Sequence, residues 1–127
     1  MEIKYNTSWL DGIEERVVEA YRKHGLKAVA VQSRVLNGCC CAVGAHSAGL
    51  HADPSVAFTG QCLAVLGISM NEGVPFVAGF DHGLLEGVEG VNDPPEYQDT
   101  PEYQAGKRTA EAVIAAGLRV DESLGDR

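Results

Sequence analysis

Between Asn37 and Gly83 the chain contains no Lys or Arg at all. The stretch reads NGCCCAVGAHSAGLHADP, then SVAFTGQCLAVLGIS, then MNEGVPFVAGFDHG, and it holds all four cysteines and three of the four histidines. So apolar a run must fold inward, because apolar burial is the main favourable term in folding. The whole chain offers only three Phe, four Tyr and one Trp, so the core has to be built from small aliphatics, Ala and Cys. Fifteen Gly let backbones approach one another closely in such a core.

The remaining numbers bound the class. A chain of 127 residues is most simply one domain, residues 1–127, and is long enough to fold without a disulfide or metal. The net charge is −8, and it is uneven. No basic residue stands between Arg34 and Lys107, whereas Asp53, Glu72, Asp81, Glu86, Glu89, Asp93, Glu96, Asp99 and Glu102 all do. Nucleic-acid binding draws on Lys and Arg against phosphate, and this span would repel both phosphate and an anionic membrane. The expectation is therefore no nucleic acid and no membrane. The acidic span serves solubility, or it steers a basic protein partner. The polar first residues argue against a signal peptide, and no apolar run reaches the ~20 residues of a membrane span. Cys39, Cys40 and Cys41 are consecutive, unlike the spaced thiols of a disulfide framework, so a reducing cytoplasm is expected.

Read in order, the chain predicts helices. Glu2–Tyr5 is a short lead-in, extended if structured. Ser8 is an N-cap, supported by Asp11, for a helix to about His24 along Leu10, Ile13, Val17 and Ala20 or Tyr21. Gly25 closes it. Leu26–Gln32 is ambiguous. Val29 and Val31 favour a short strand, whose only partners would be the N-terminal lead-in or a second copy of the chain. Asn37 is an N-cap for a central helix through His46. Asp53–Pro54 starts another, carrying Val56, Phe58, Cys62, Leu63, Val65 and Leu66 and ending at Gly67. Ser69 and Glu72 form a capping box directly afterwards, which makes a sharp corner into a helix bent at Pro75. Residues 86–100 read as an acidic loop containing one copy of a small duplication, Pro95–Gln98 and Pro101–Gln104. Thr100 and Pro101 start a last helix, with Tyr103, Gly106, Ala110, Val113 and Gly117 as a seam of small residues. The tail from about residue 119 is expected to fray. The fold class is mainly α: four to five packed helices, with room for one short strand near residues 26–32.

Four motifs carry a resemblance: Cys40–Gly44 with Cys41, Leu66–Ser69, Gly79–Asp81 and Tyr103–Gly106. Over residues 38–115 they resemble a loose group of small uncharacterised bacterial proteins found in phage and mobile gene cassettes. The resemblance implies a helical fold and an accessory role. It implies no activity.

Several residues could carry chemistry. If Asn37 caps a helix, Cys39–Cys41 lie in its first turn, where the dipole lowers a thiol pKa. With His46, His51 or His82 nearby they could form a nucleophile or redox sensor. Free Cys also packs as an ordinary small hydrophobe. Structural zinc wants a C-x₂₋₄-C pair, which is missing, so no metal and no cofactor is expected. Asp81 and His82 could form a general-base pair, or simply a polar helix end. Tyr103, Gly106 and Ala110 could bind a partner helix or a second subunit, or dock on the chain's own core. Phe58, Phe76 and Phe80 could line a ligand pocket. The leading expectation is a non-catalytic, acidic cytosolic protein that binds another protein or forms a homodimer. The alternatives are a thiol-dependent enzyme or redox sensor centred on Cys39–Cys41, and a small-molecule-binding helical protein.

Overall fold

In the computed structural model residues 7–30, 32–85 and 100–120 are described. The lead-in at Glu2–Tyr5, the acidic loop over 86–99 with the first duplicated copy, and the tail beyond 120 lie outside them. The described residues form a mainly helical domain with a very small parallel sheet.

The first helix, α1 (Ile13–His24), starts later than Ser8. Thr7–Leu10 is a separate 3-10 turn, and Gly12 at φ 70° separates it from α1. A left-handed residue cannot continue a right-handed helix, so the break is fixed there. The Arg16 guanidinium holds the two pieces together by donating to the carbonyls of Asp11 and Trp9. Ile13, Val17 and Tyr21 form the buried stripe. Glu14 and Glu15 in the first turn, and Arg22, Lys23 and His24 in the last, complement the helix dipole. Gly25 closes α1 at φ 65°, and the Leu26 amide returns to the Tyr21 carbonyl at 2.8 Å.

The ambiguous stretch after α1 does contain a strand, β1 (Lys27–Ala28). Its partner is neither of those expected. It pairs in parallel with β2 (Cys39–Cys40), Lys27 opposite Cys39 and Ala28 opposite Cys40. On its other side Ala28 bridges Arg119: its amide donates to Leu118 at 2.7 Å, and its carbonyl accepts from Val120 at 3.0 Å. Residues 119 and 120 are therefore tied to the sheet, contrary to the expected fraying there.

Asn37 does not cap a helix. It and Gly38 are both left-handed, at φ 54° and 74°. Leu36 and Cys39 exchange amide–carbonyl bonds of 3.1 and 3.0 Å around them. Asn-Gly with two positive φ angles is the two-residue turn that reverses a chain tightly. It sends Cys39 and Cys40 into β2 and delays the central helix, α2, to Ala42–Ser47. All of α2 except His46 is buried. Gly44 permits this, because a Cβ there would stand 2.2 Å from the Ser33 carbonyl oxygen.

The helix expected from Pro54 is also broken. Pro54–Val56 is a 3-10 turn capped by Asp53, and α3 covers Thr59–Leu66. The loop at 33–35 takes the carbonyls that a continuous helix would need. The Val35 amide donates to Pro54 O at 3.0 Å, and Ser33 Oγ to Ala57 O at 3.1 Å. Gly67 at φ 73° ends α3. Ser69 Oγ then accepts the Glu72 amide at the start of α4 (Met70–Leu84), and the two helices meet at 120°. Pro75 lies inside α4, which continues through it to Leu84.

The last helix, α5 (Pro101–Ala115), begins as expected, with Thr100 Oγ1 accepting the Tyr103 amide. Its small-residue seam lies on α4. A Cβ at Gly106 would stand 2.1 Å from Phe76 O, and one at Gly79 would stand 2.1 Å from Tyr103 O. The helices therefore touch backbone to backbone. α5 also packs on α1, and α2 packs on both α1 and α3. Trp9 closes one end, its ring edge-on to Phe76 at 5.3 Å and its Nε1 donating to the buried Glu72 carboxylate at 3.0 Å.

Candidate functional site

The thiols sit in a different environment from the one expected. Cys39, in β2, is half-buried and its Sγ donates to Asn37 O at 3.5 Å. Cys40 and Cys41 are fully buried, and neither occupies a first helical turn. Burial pushes the Cys40 thiol well above its usual range, with Cys41 and Cys62 adding to the shift. Burial and then the Asp81 carboxylate push Cys41 up to about 12, only partly opposed by the amides of Gly44 and Val43. Cys62 is raised by burial too, with Ser47 opposing. A nucleophilic or redox-sensing cysteine needs an accessible thiolate. Cys40 and Cys41 present the opposite, a neutral thiol packed as core. Tyr21 completes this cluster. Its hydroxyl donates to Cys40 O at 2.7 Å, and burial holds its pKa well above the usual value.

The histidines do not convert the thiols into a site. His46 is half-buried on α2, where burial and then Arg16 lower its pKa. His51 Nε2 lies 3.0 Å from Ser47 Oγ. That hydroxyl already donates to Val43 O at 2.7 Å, so it accepts from the imidazole. Ser47 is fully buried, which removes it from any substrate. Among the described residues no group of three or more His, Cys, Asp or Glu is placed to hold a metal ion.

Asp81 and His82 are neighbours on α4 but face apart, as consecutive helical residues must. Asp81 is buried and acts on Cys41 and Tyr21. The His82 ring stands edge-on to Tyr103 at 6.3 Å. The pair is split by the core. Tyr103, Gly106 and Ala110 are buried between α5 and α4, so that seam is not an outer face for a partner. Phe76 and Phe80 are core residues as well, while Phe58 is 60% exposed with the Arg34 guanidinium 5.1 Å from its ring centre. Phe58 therefore lies apart from the core that holds Phe76 and Phe80.

Two surface features of the described residues bear on binding. An open groove of roughly 500 Å³ runs between α1 and α5, lined by Glu14, Glu15, Val18, Glu19, Arg22 and Ala112. Its carboxylates are mixed with Arg22, and Glu14 is already paired with Arg108 at 3.0 Å. The second feature is apolar. Six large hydrophobic side chains of the described residues are exposed, and five of them, Leu50, Val56, Phe58, Val65 and Met70, fall between residues 50 and 70. Single exposed hydrophobics are ordinary, but concentration on one stretch is not. Phe58, Gln61 and Val65 recur at three and four along the outer side of α3, with Ala64 beside them. Asp53 is the one carboxylate of the stretch from residue 48 to residue 71.

The sequence reading missed this surface, because it placed Val56, Phe58 and Val65 on one helix with Cys62, Leu63 and Leu66 without separating the exposed from the buried side chains. The signal that could have found it is Asn37-Gly38. Read as a turn, it moves the chain from a helix to β2 and brings the loop at 33–35 against Pro54–Ala57. Comparison of the chain with known protein families, curated proteins and solved structures finds no match.

Proposed function

We propose that this protein is a non-catalytic binding module that docks on another protein surface through the exposed face built from Val56, Phe58 and the outer side of α3. The observation that carries this reading is the concentration of five of the six exposed large hydrophobics between residues 50 and 70. Large apolar side chains left exposed on one short stretch are costly in water and are a common mark of an interaction site. All four cysteines are free, which supports action in a reducing compartment such as the cytoplasm. An accessory role, as the resemblance to mobile gene cassette proteins suggests, suits a binding module. Burial of Cys40 and Cys41, with raised pKa values, weighs against the thiol reading.

A photo-crosslinking amino acid placed at Phe58, in the protein expressed in cells, tests the docking face. Adducts should form there and be weak at a control site outside this face, the exposed Glu111 of α5. Equal, background-level adducts at both positions would sink the reading.

A further inference from the structure

We infer that the occupant of this face is a second copy of the same chain, in a two-fold dimer centred on Val56 and Phe58. This rests on the binding-module reading above and names its partner.

The argument is one of charge. The molecule carries a net charge of −8, so two copies repel over most approaches. The Val56–Phe58 face is different. Among the described residues it carries one cation, Arg34, and one anion, Asp53, each next in sequence to a residue of one hydrogen bond. The Val35 amide bonds Pro54 O at 3.0 Å, and Arg34 and Asp53 flank that hydrogen bond. Arg34 lies over the Phe58 ring and pairs with no carboxylate of the described residues. Asp53 is exposed, and its hydrogen bonds to the Ser55 amide and hydroxyl hold its pKa below the usual carboxylate value. Asp53 is therefore ionised at neutral pH.

A two-fold axis makes residue i of one copy meet residue j of the other, and j meet i. A face holding one cation and one anion is complementary to its own inverted image. Pairing Arg34 of each copy with Asp53 of the other gives two reciprocal ion pairs around an apolar centre of Val56 and Phe58. Each guanidinium can stay stacked on its own phenylalanine while its N–H edge faces the opposite carboxylate. A basic partner would instead be drawn to the acidic surfaces elsewhere, since the described charges of this face balance.

The test is sedimentation equilibrium of the purified chain over a wide concentration range. The wild type should dissociate on dilution from a species of twice the chain mass. Phe58→Glu and Val56→Glu should each weaken the dimer by at least about tenfold, as expected of central interface residues. Arg34→Asp should also weaken it, and Arg34→Asp combined with Asp53→Arg should recover part of the loss. Circular dichroism checks that each variant is folded. Because Asp53 also caps a turn, the two glutamate variants at exposed positions keep the test decisive if that turn is damaged. A wild type that stays monomeric throughout, or a dimer that none of the variants weakens, overturns the inference. The mass of the Phe58 adducts separates the two readings. Twice the chain mass supports the homodimer. Other masses overturn the homodimer and leave the binding module standing. Background-level adducts remove both.

Discussion

At the scale of single residues, the chain's chemistry is decided by what surrounds each group. Four cysteines within twenty-four residues look reactive on paper, yet three are buried and only Cys39 reaches solvent in part. Desolvation disfavours the thiolate, and nothing in the cluster supplies a cation to offset it. Brief alkylation of the native protein at neutral pH, read by mass spectrometry, should therefore modify Cys39 first. Cys40, Cys41 and Cys62 should stay unmodified until denaturant is added. Fast native labelling of Cys40 or Cys41 would contradict the packing described here. The same reasoning explains Asp81 and His82. Their adjacency in sequence suggested a pair, but a helix turns about 100° per residue and points them at different neighbours.

At the scale of elements, glycine sets the distance between helices. Gly106 lies against Phe76 O and Phe80 N, at 2.1 and 2.7 Å from where its Cβ would be. Backbone cannot move aside as a side chain can, so Gly106→Ala must push α4 and α5 apart. A loss of at least about 2 kcal/mol is expected, larger than most surface substitutions give. Gly60 is the contrast. It lies in α3 with open space around it, so Gly60→Ala should gain up to about 1 kcal/mol. Denaturant unfolding of dilute protein measures both. Equal small effects at the two sites would mean that α4 and α5 are not in backbone contact. Helix ends belong to this scale too. Gly25, Gly67, Ser69, Thr100 and Gly117 all act locally, and each does what its residue type suggests.

At the scale of the whole molecule, buried ionisable groups couple stability to pH. The thiols of Cys40, Cys41 and Cys62 and the Tyr21 hydroxyl have raised pKa values in the folded chain. Unfolded, cysteine ionises near pH ~8.5 and tyrosine near ~10. Above those values the folded state holds protons that the unfolded state has released, so stability falls as pH rises. It is fully present below about pH 8 and declines by about 1.4 kcal/mol per pH unit for each group in its window. His46 has a lowered pKa, so its contribution is present above about pH 6.5 and is lost as pH falls. Urea midpoints should be level near neutrality and drop steeply toward about pH 11. A midpoint unchanged at that pH would show the thiols to be solvated.

The sequence alone determined the fold class, the helix-ending signals and the inward folding of much of the middle stretch that lacks Lys and Arg. Those follow from local backbone preferences and from where apolar residues are dense, and both are written along the chain. The tertiary structure alone decided three things. β1 pairs with β2 and with residues 119–120, in two-residue contacts too short to leave a periodic pattern. The helix expected from Pro54 breaks, because the loop at 33–35 takes its carbonyls. The seam of Tyr103, Gly106 and Ala110 turns inward onto α4, while Phe58 turns outward. An apolar stripe states that a face will be covered. What covers it depends on contacts between residues far apart in the chain, and these exist only once the whole molecule has folded.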